Sequence, residues 1–486
     1  LLHEGRCRTG CGRGGVVFLS GDAGLGKTRL IDEAAERLLP MLNPPGRIFD
    51  ASAVSYETNQ PYGLLVRLLR RPFGLMSGDP PERIRERIAA AVGDTGSAAA
   101  DRALMEALFG VAASPNGHEL TGEAFAAQLD ACMERAWRGQ AAAGPVVLAL
   151  DDLQWLDASS AERLARLASL TEDTPILFLC AMRRDRRSPA WGLKETVARE
   201  LPHRQSEVAL HPLNDGESRA LLAGLLGAAD PPGQLAALIL DKAEGNPLFL
   251  EEVVRHLIER GELRRSGNLP VAESSGNIPV AESSGNIPVA LEEGNWEVAP
   301  TTISLPDSLQ SLLTARIDRL DEAARRVLQV AAVIGRHFWR SPLAALVDDP
   351  DALDACLLEL QRLELIREVG RLPEPNYLFN HSLTQEAVYN TILLRQRRAL
   401  HLRVAEVIEQ LRADNTAGVA ALLAHHFIEG EAPDRALPYL LQAADSALRL
   451  HAVHEAIAAY DRARPIARAK PAGEDVTADL IAIYTG

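Results

Sequence analysis

At 486 residues the chain exceeds what one compact core holds, and roughly 100 to 200 residues per domain gives an expectation of about three or four domains. Its 47% hydrophobic and 24% charged content is that of a globular protein and excludes a disordered or fibrous one. Against 66 Asp and Glu stand 51 Lys and Arg, a formal charge of -15, which excludes broad electrostatic attraction to nucleic acid phosphates.

No apolar run approaches the roughly 18 residues that span a bilayer, and the opening LLHEGRCRTGCGRGG lacks the pattern of a signal peptide. A cytoplasmic, non-membrane protein is expected. The five cysteines, at 7, 11, 132, 180 and 356, form no paired framework and fit a reducing compartment. Cys7 and Cys11 have no second Cys/His pair nearby, so free thiols are expected in place of a metal site. The first residue is not Met and LIAIYTG ends the chain within a helical pattern, so a chain cut at both ends is expected.

In chain order, VVFLS (16–20), RIFDASA (47–53), VVLAL (146–150) and PILFLCA (175–181) are apolar runs separated by amphipathic Ala/Leu-rich stretches. That alternation predicts an α/β domain, a mostly parallel sheet with helices on both faces. From about Ser206 the helical period dominates, with Gly245 and Pro247 as a stop signal. A tandem nonamer follows, SGNLPVAES (266–274), SGNIPVAES (275–283) and SGNIPVA (284–290). It lacks the Gly-Gly and Asp positions of a calcium-binding β-helix, and two and a half copies cannot bury a core, so a surface loop or linker is expected. Then come helices over LPDSLQSLLTARIDRLDEAARRVLQVAAVIG and DPDALDACLLELQRLELI. A hairpin of IREVG and YLFNHSL about the turn GRLPEPN follows, together predicting a winged helix. Beyond Thr384 the pattern is helical. Ala436, Tyr439, Ala443, Ala456, Tyr460 and Ala463 are spaced as on the facing helices of a tetratricopeptide-like hairpin.

After the first strand, GDAGLGKT (21–28) matches G-x-x-x-x-G-K-[ST] and opens a helix. Glycines let Gly21, Asp22, Ala23, Gly24, Leu25 and Gly26 turn their N–H groups toward a phosphate, and the helix dipole adds to this. Lys27 would reach the β- and γ-phosphates, and Thr28 would be a Mg²⁺ ligand. The strand VVLAL ends in Asp151 and Asp152. With the phosphate loop upstream, Asp151 is expected to hold Mg²⁺ and Asp152 to polarise the attacking water. The cation Arg183, at the end of PILFLCAMRRD, is placed to sense or stabilise charge on the γ-phosphate.

GDAGLGKT, DDLQWLDASS, AMRRD, GNPLFLEEVVRHL (245–257), LPDSLQSLLTARIDRL and FNHSLTQEAVYNTILLRQRRALH, in that order, span nearly the whole chain. Together they resemble the signal-transduction ATPases with numerous domains, the AAA+-related STAND class. More narrowly they are similar to the Orc1-like AAA module of bacterial adenylate/guanylate cyclase-like proteins and large LuxR-type regulators. The resemblance implies domains at 1–190 (P-loop ATPase, truncated at its N-terminus), 191–262 (helical), 263–305 (linker), 306–400 (winged helix) and 401–486 (tetratricopeptide-like repeats, truncated at the C-terminus). It also implies that Pro247 lies against the nucleotide base and that His381 touches the β-phosphate of ADP.

The implied function is an ATP-dependent, slowly hydrolysing switch with ATP/ADP and Mg²⁺ as ligands. Protein partners bind the C-terminal repeats, and nucleotide-dependent self-association is a further expectation. AAA+ motors more often carry Glu at the second acid, and the shorter Asp152 points to slow turnover. Three alternatives are weaker. A DNA-binding regulator lacks a basic stripe, with 12 Lys/Arg against 13 Asp/Glu over 306–400. A scaffold with a vestigial site would not need Lys27, Thr28 and Asp151 intact, and a small-molecule phosphotransferase would not need the helical array.

Overall fold

The computed structural model describes residues 13–41, 45–54, 60–76, 79–92, 98–111, 122–227, 233–265, 296–298, 306, 308–347, 349–370, 374–413 and 416–469. Cys7, Cys11, the nonamer repeat and the closing LIAIYTG lie outside them. The described chain forms two compact units. One comprises the described residues of Leu1–Gly21, Lys27–Ala209 and Arg326–Gly486, and the other Asp22–Gly26 with Leu210–Arg325.

The first unit is built on a five-stranded sheet of order β2-β3-β4-β1-β5. Its strands are β1 (Gly15–Ser20), β2 (Arg47–Ser52), β3 (Val146–Asp151), β4 (Ile176–Met182) and β5 (Gln205–Ala209), all paired in parallel. Central parallel strands are covered on both sides and read as continuous apolar runs, as β1, β3 and β4 do, every residue of them buried. Alternate side chains enter two cores. On one face Phe18, Leu148, Leu150 and Phe178 pack with Phe125 and Trp137 of helix Gly122–Ala142. On the other, Val17, Leu19, Val147, Ala149, Leu177 and Leu179 pack with Ile31 and Ala34 of helix Lys27–Leu38. Each fully buried large apolar side chain contributes about 1.5–3 kcal/mol.

The reading of helix from about Ser206 is corrected by β5. QSEVA forms the edge of the sheet, half-exposed, so it shows no apolar run.

The same unit contains a three-stranded antiparallel sheet of order β8-β10-β9, with β8 (His337–Trp339), β9 (Ile366–Gly370) and β10 (Asn376–Phe379). Helix Glu322–Ile334 precedes β8, and helices Arg340–Leu346 and Leu353–Arg362 lie between β8 and β9. Helices Leu394–Leu411, Ala420–Glu429, Pro433–Arg449 and Val453–Ala469 follow. Ala436, Ala443, Ala456, Tyr460 and Ala463 are buried, and Tyr439 stacks on Phe427 with ring centroids 5.7 Å apart. Ala447, Ala452 and Ala456 also enter the first core, so these helices pack on the parallel-sheet domain.

The second unit is helical. Leu222, Ile239, Leu250, Val253, Leu257 and Leu312 form its core, on helices Asp215–Leu226, Gly233–Ala243, Pro247–Glu259 and Leu309–Ile317. A buried Arg316–Glu252 pair at 2.9 Å ties two of these helices, and β6 (Leu263–Arg265) pairs with β7 (Trp296–Val298). Among the described residues no helix is long and apolar enough to cross a membrane.

Candidate nucleotide-binding site

In an open parallel sheet, ligands bind at the carboxyl ends of the strands. Here β1 runs directly into Gly21, whose N–H donates to the Met182 carbonyl of β4 at 3.3 Å, and β3 ends on Asp151. Gly24 and Gly26 take φ of +84° and +83°, a left-handed backbone that L side chains rarely adopt. Helix Lys27–Leu38 begins at the end of the loop, which places the positive end of its dipole there. Lys27 is buried, and its Nζ donates to the Gly21 carbonyl at 2.9 Å.

The hydroxyl of Thr28 donates to Asp151 Oδ2 at 2.7 Å, while the Asp152 backbone N–H donates to Asp151 Oδ1 at 2.8 Å. Octahedral Mg²⁺ with bonds of about 2.0–2.1 Å sets neighbouring ligand oxygens roughly 2.9 Å apart. The Thr28 and Asp151 oxygens therefore fit two adjacent positions around that ion.

Asp152 has φ 54°, an αL conformation that Asp tolerates better than most residues. This turns its side chain along the edge of the sheet. There Oδ1 accepts from Gln154 Nε2 at 2.9 Å and Oδ2 is ion-paired with the guanidinium of Arg336. Both groups are mostly buried, their side chains 17% and 11% exposed for Arg336 and Asp152. Burial lowers the pKa of Arg336, and the charge of Asp151 works against that shift. Arg336 immediately precedes β8, and its carbonyl accepts from Phe379 N–H of β10 at 2.9 Å, so the antiparallel sheet fixes its position. Nothing in the sequence reading pointed to this arginine. Its one local signal is the Gly335 break, at φ 143°, after helix Glu322–Ile334.

Arg183 pairs with Glu386 of helix Ser382–Thr391 at 3.2 Å, so its described partner is a carboxylate. His381 is exposed at the N-cap of that helix, where its carbonyl accepts from Thr384 N–H at 3.1 Å. The structure thus brings together Lys27, Thr28, Asp151, Asp152 and Arg336, while Arg183 is paired with Glu386 and His381 stands at a helix N-cap.

In the second unit, Pro247 is the first residue of its helix and Asn246 the N-cap, accepting from Leu248 N–H at 3.1 Å. Asn246 Nδ2 donates to the Ala23 carbonyl at 3.4 Å, and Leu248 N–H donates to the Gly24 carbonyl at 3.3 Å. A Cβ at Gly24 would meet Asn246 Oδ1 at 2.7 Å, so this glycine is required by space as well as by φ. Asn246 is a second residue the sequence reading passed over. Asp22 is exposed and Leu25 buried.

A phosphate loop after β1, acids after β3 and the interposed β4 define a P-loop domain of the AAA type. Residues 2–180 match the family model described as AAA ATPase domain, so the chain carries an AAA ATPase domain. Residues 214–263 match a domain of unknown function (DUF8739). An uncharacterized protein of Rhizobium meliloti (strain 1021) is 26% identical over 474 residues, covering 92% of this chain. The chain spans 40% of that relative's length. Among solved structures, the chain is similar to a Signal Transduction ATPase with Numerous Domains with a tetratricopeptide repeat sensor from Pyrococcus horikoshii. That overlap has a TM-score of 0.45 and 13% identity, over 99% of this chain and 60% of that one. The Aeropyrum pernix ORC2 protein overlaps with a TM-score of 0.32 and 14% identity, over 80% of this chain and 91% of that one.

Proposed function

We propose that the chain binds ATP and hydrolyses it slowly, as the nucleotide-dependent switch of a longer regulatory protein. The observation that carries this reading is the joined set at the sheet edge: Thr28 bonded to Asp151, and Asp152 beside them held by Arg336. The AAA ATPase match supports ATP as substrate.

Backbone N–H groups of residues 21–28 receive the phosphates, and Lys27 exchanges the Gly21 carbonyl for a phosphate oxygen. Thr28 and Asp151 would hold Mg²⁺, which would supply positive charge to offset that of the phosphates. Asp152 orients the attacking water and accepts its proton. It does so only after Arg336 releases it, because both of its oxygens are otherwise engaged. This restraint adds to the short reach of Asp in favouring slow turnover. Arg183, freed from Glu386, would add a cation near the γ-phosphate, and Pro247 and His381 are assigned to the base and the β-phosphate of ADP. The repeats from 401 onward receive protein partners, and their packing on the parallel-sheet domain supports transmission of the nucleotide state.

The test is a pair of variants. Lys27→Ala abolishes ATP binding by calorimetry, whereas Asp152→Asn keeps binding and slows hydrolysis on the order of 10²-fold or more. Equal loss of binding in both would refute this division of labour.

A further inference from the structure

His401 lies on helix Leu394–Leu411, and His425 and His426 are neighbours on helix Ala420–Glu429. Successive helical residues point about 100° apart, so two adjacent histidines share one partner only where it sits between their directions. His401 does. Its ring centroid is 5.8 Å from that of His425 and 5.0 Å from that of His426, which are themselves 5.2 Å apart. One ring nitrogen from each residue lies within 4.8 Å of the others. His401 and His426 are 2% and 1% exposed, and His425 is half-buried.

Hydrogen bonding alone leaves the cluster incomplete. The Nδ1 atoms of His401 and His426 stand 2.8 Å apart and share one proton, and His401 Nε2 is 2.9 Å from Tyr389 Oη. Nε2 of His426 is buried with no hydrogen-bond partner, an unfavourable arrangement that a bound ligand would relieve. A metal ion would take a lone pair from each of the three rings.

The geometry points to a transition-metal site formed by His401, His425 and His426, a Zn²⁺ staple between two C-terminal helices, separate from the nucleotide-binding edge. With Zn–N bonds of about 2.0–2.1 Å, tetrahedral ligand nitrogens lie roughly 3.3 Å apart. That falls within the 4.8 Å limit of the set. Imidazole-only donors favour Zn²⁺ over Mg²⁺ or Ca²⁺. Tyr389 is the outer partner that fixes a ligating histidine's tautomer. The surrounding charges are mixed. Glu429 beside His425 favours a cation and Arg462 opposes it. Arg397 also opposes it, but is held over the Tyr389 ring at 4.1 Å and donates to the Ile392 carbonyl.

The full chain, stripped with chelator and dialysed, is titrated by calorimetry with Zn²⁺ alone and then with Co²⁺ by visible absorption, without nucleotide. One Zn²⁺ per chain and the intense absorption of tetrahedral Co²⁺ are expected. His425→Ala, at the least buried ligand, lowers affinity at least 100-fold and removes the Co²⁺ band while leaving the far-UV dichroism unchanged. Tyr389→Phe weakens binding about tenfold, and Cys7→Ser with Cys11→Ser leaves it intact. The absence of Zn²⁺ binding by the unaltered chain would overturn the assignment. Binding that survives His425→Ala and disappears in the double cysteine variant would overturn it as well. Neither result bears on ATP binding, which His425→Ala leaves unchanged.

Discussion

Arg336→Gln separates restraint from catalysis at the acid pair. The Arg336–Asp152 pair is mostly buried, and separating the partners of a buried ion pair costs about 3 kcal/mol. At about 1.4 kcal/mol per factor of ten, Asp152 is then free in roughly one molecule in 150. If that freedom limits hydrolysis, Arg336→Gln raises the single-turnover rate by up to about 100-fold. ATP affinity, set by the loop, stays the same. The glutamine keeps a donor near Asp152, so the carboxylate is not left buried alone. The assay is phosphate release from a stoichiometric mixture of protein, ATP and Mg²⁺, with Asp152→Asn and the double variant alongside. The double variant should be no faster than Asp152→Asn. A tenfold fall in rate for Arg336→Gln, restored by Arg336→Lys, would refute the reasoning and make the arginine a source of charge for the transferring phosphate.

Three further perturbations test the architecture. Gly245 has φ +74°, and a Cβ there would meet the Leu213 carbonyl oxygen at 2.2 Å. Gly245→Ala should therefore destabilise the helical unit by several kcal/mol, seen as an earlier proteolytic cut within 210–325 and a lower urea midpoint. Buried Glu455 accepts from Ser159 N–H at 3.0 Å and Ser159 Oγ at 2.6 Å. Glu455→Ala should cost about 1–3 kcal/mol, read as a lower urea midpoint with unchanged slope, and no change would mean the contact is dispensable. Asp157, buried at the N-cap of helix Ala158–Leu167, has its pKa pushed up to about 6, chiefly by desolvation. A raised carboxyl pKa favours the protonated form in the folded state. Its contribution is present below the ordinary value of 3.8 and lost as pH rises through about 6. Asp157→Asn should flatten the stability profile across that window in thermal melts, and an unchanged profile would place the titration elsewhere.

Much of this was legible because it is local. β1 to β4 announce themselves as apolar runs, and the glycines at 24 and 26 stand where the loop needs a left-handed backbone. β5 escaped because an edge strand buries little, and β8 because three residues carry no period. Asn246 was readable in principle, since Asn before Pro at a helix start is an N-cap pattern. Arg336 was not. Its meeting with Asp152 is made by the antiparallel sheet that holds it, and an isolated arginine in a sequence carries no mark of which distant carboxylate it will face.

The order of the parallel strands has a dimensional consequence. Because β4 separates β1 from β3, and adjacent strands stand about 4.8 Å apart, the loop-bearing and acid-bearing strands are spaced at roughly 9.6 Å. The 2.7 Å bond from Thr28 to Asp151 therefore joins parts of the chain whose strands do not pair with each other. β4, paired in parallel with both, is the spacer that keeps the loop and the acids in one register.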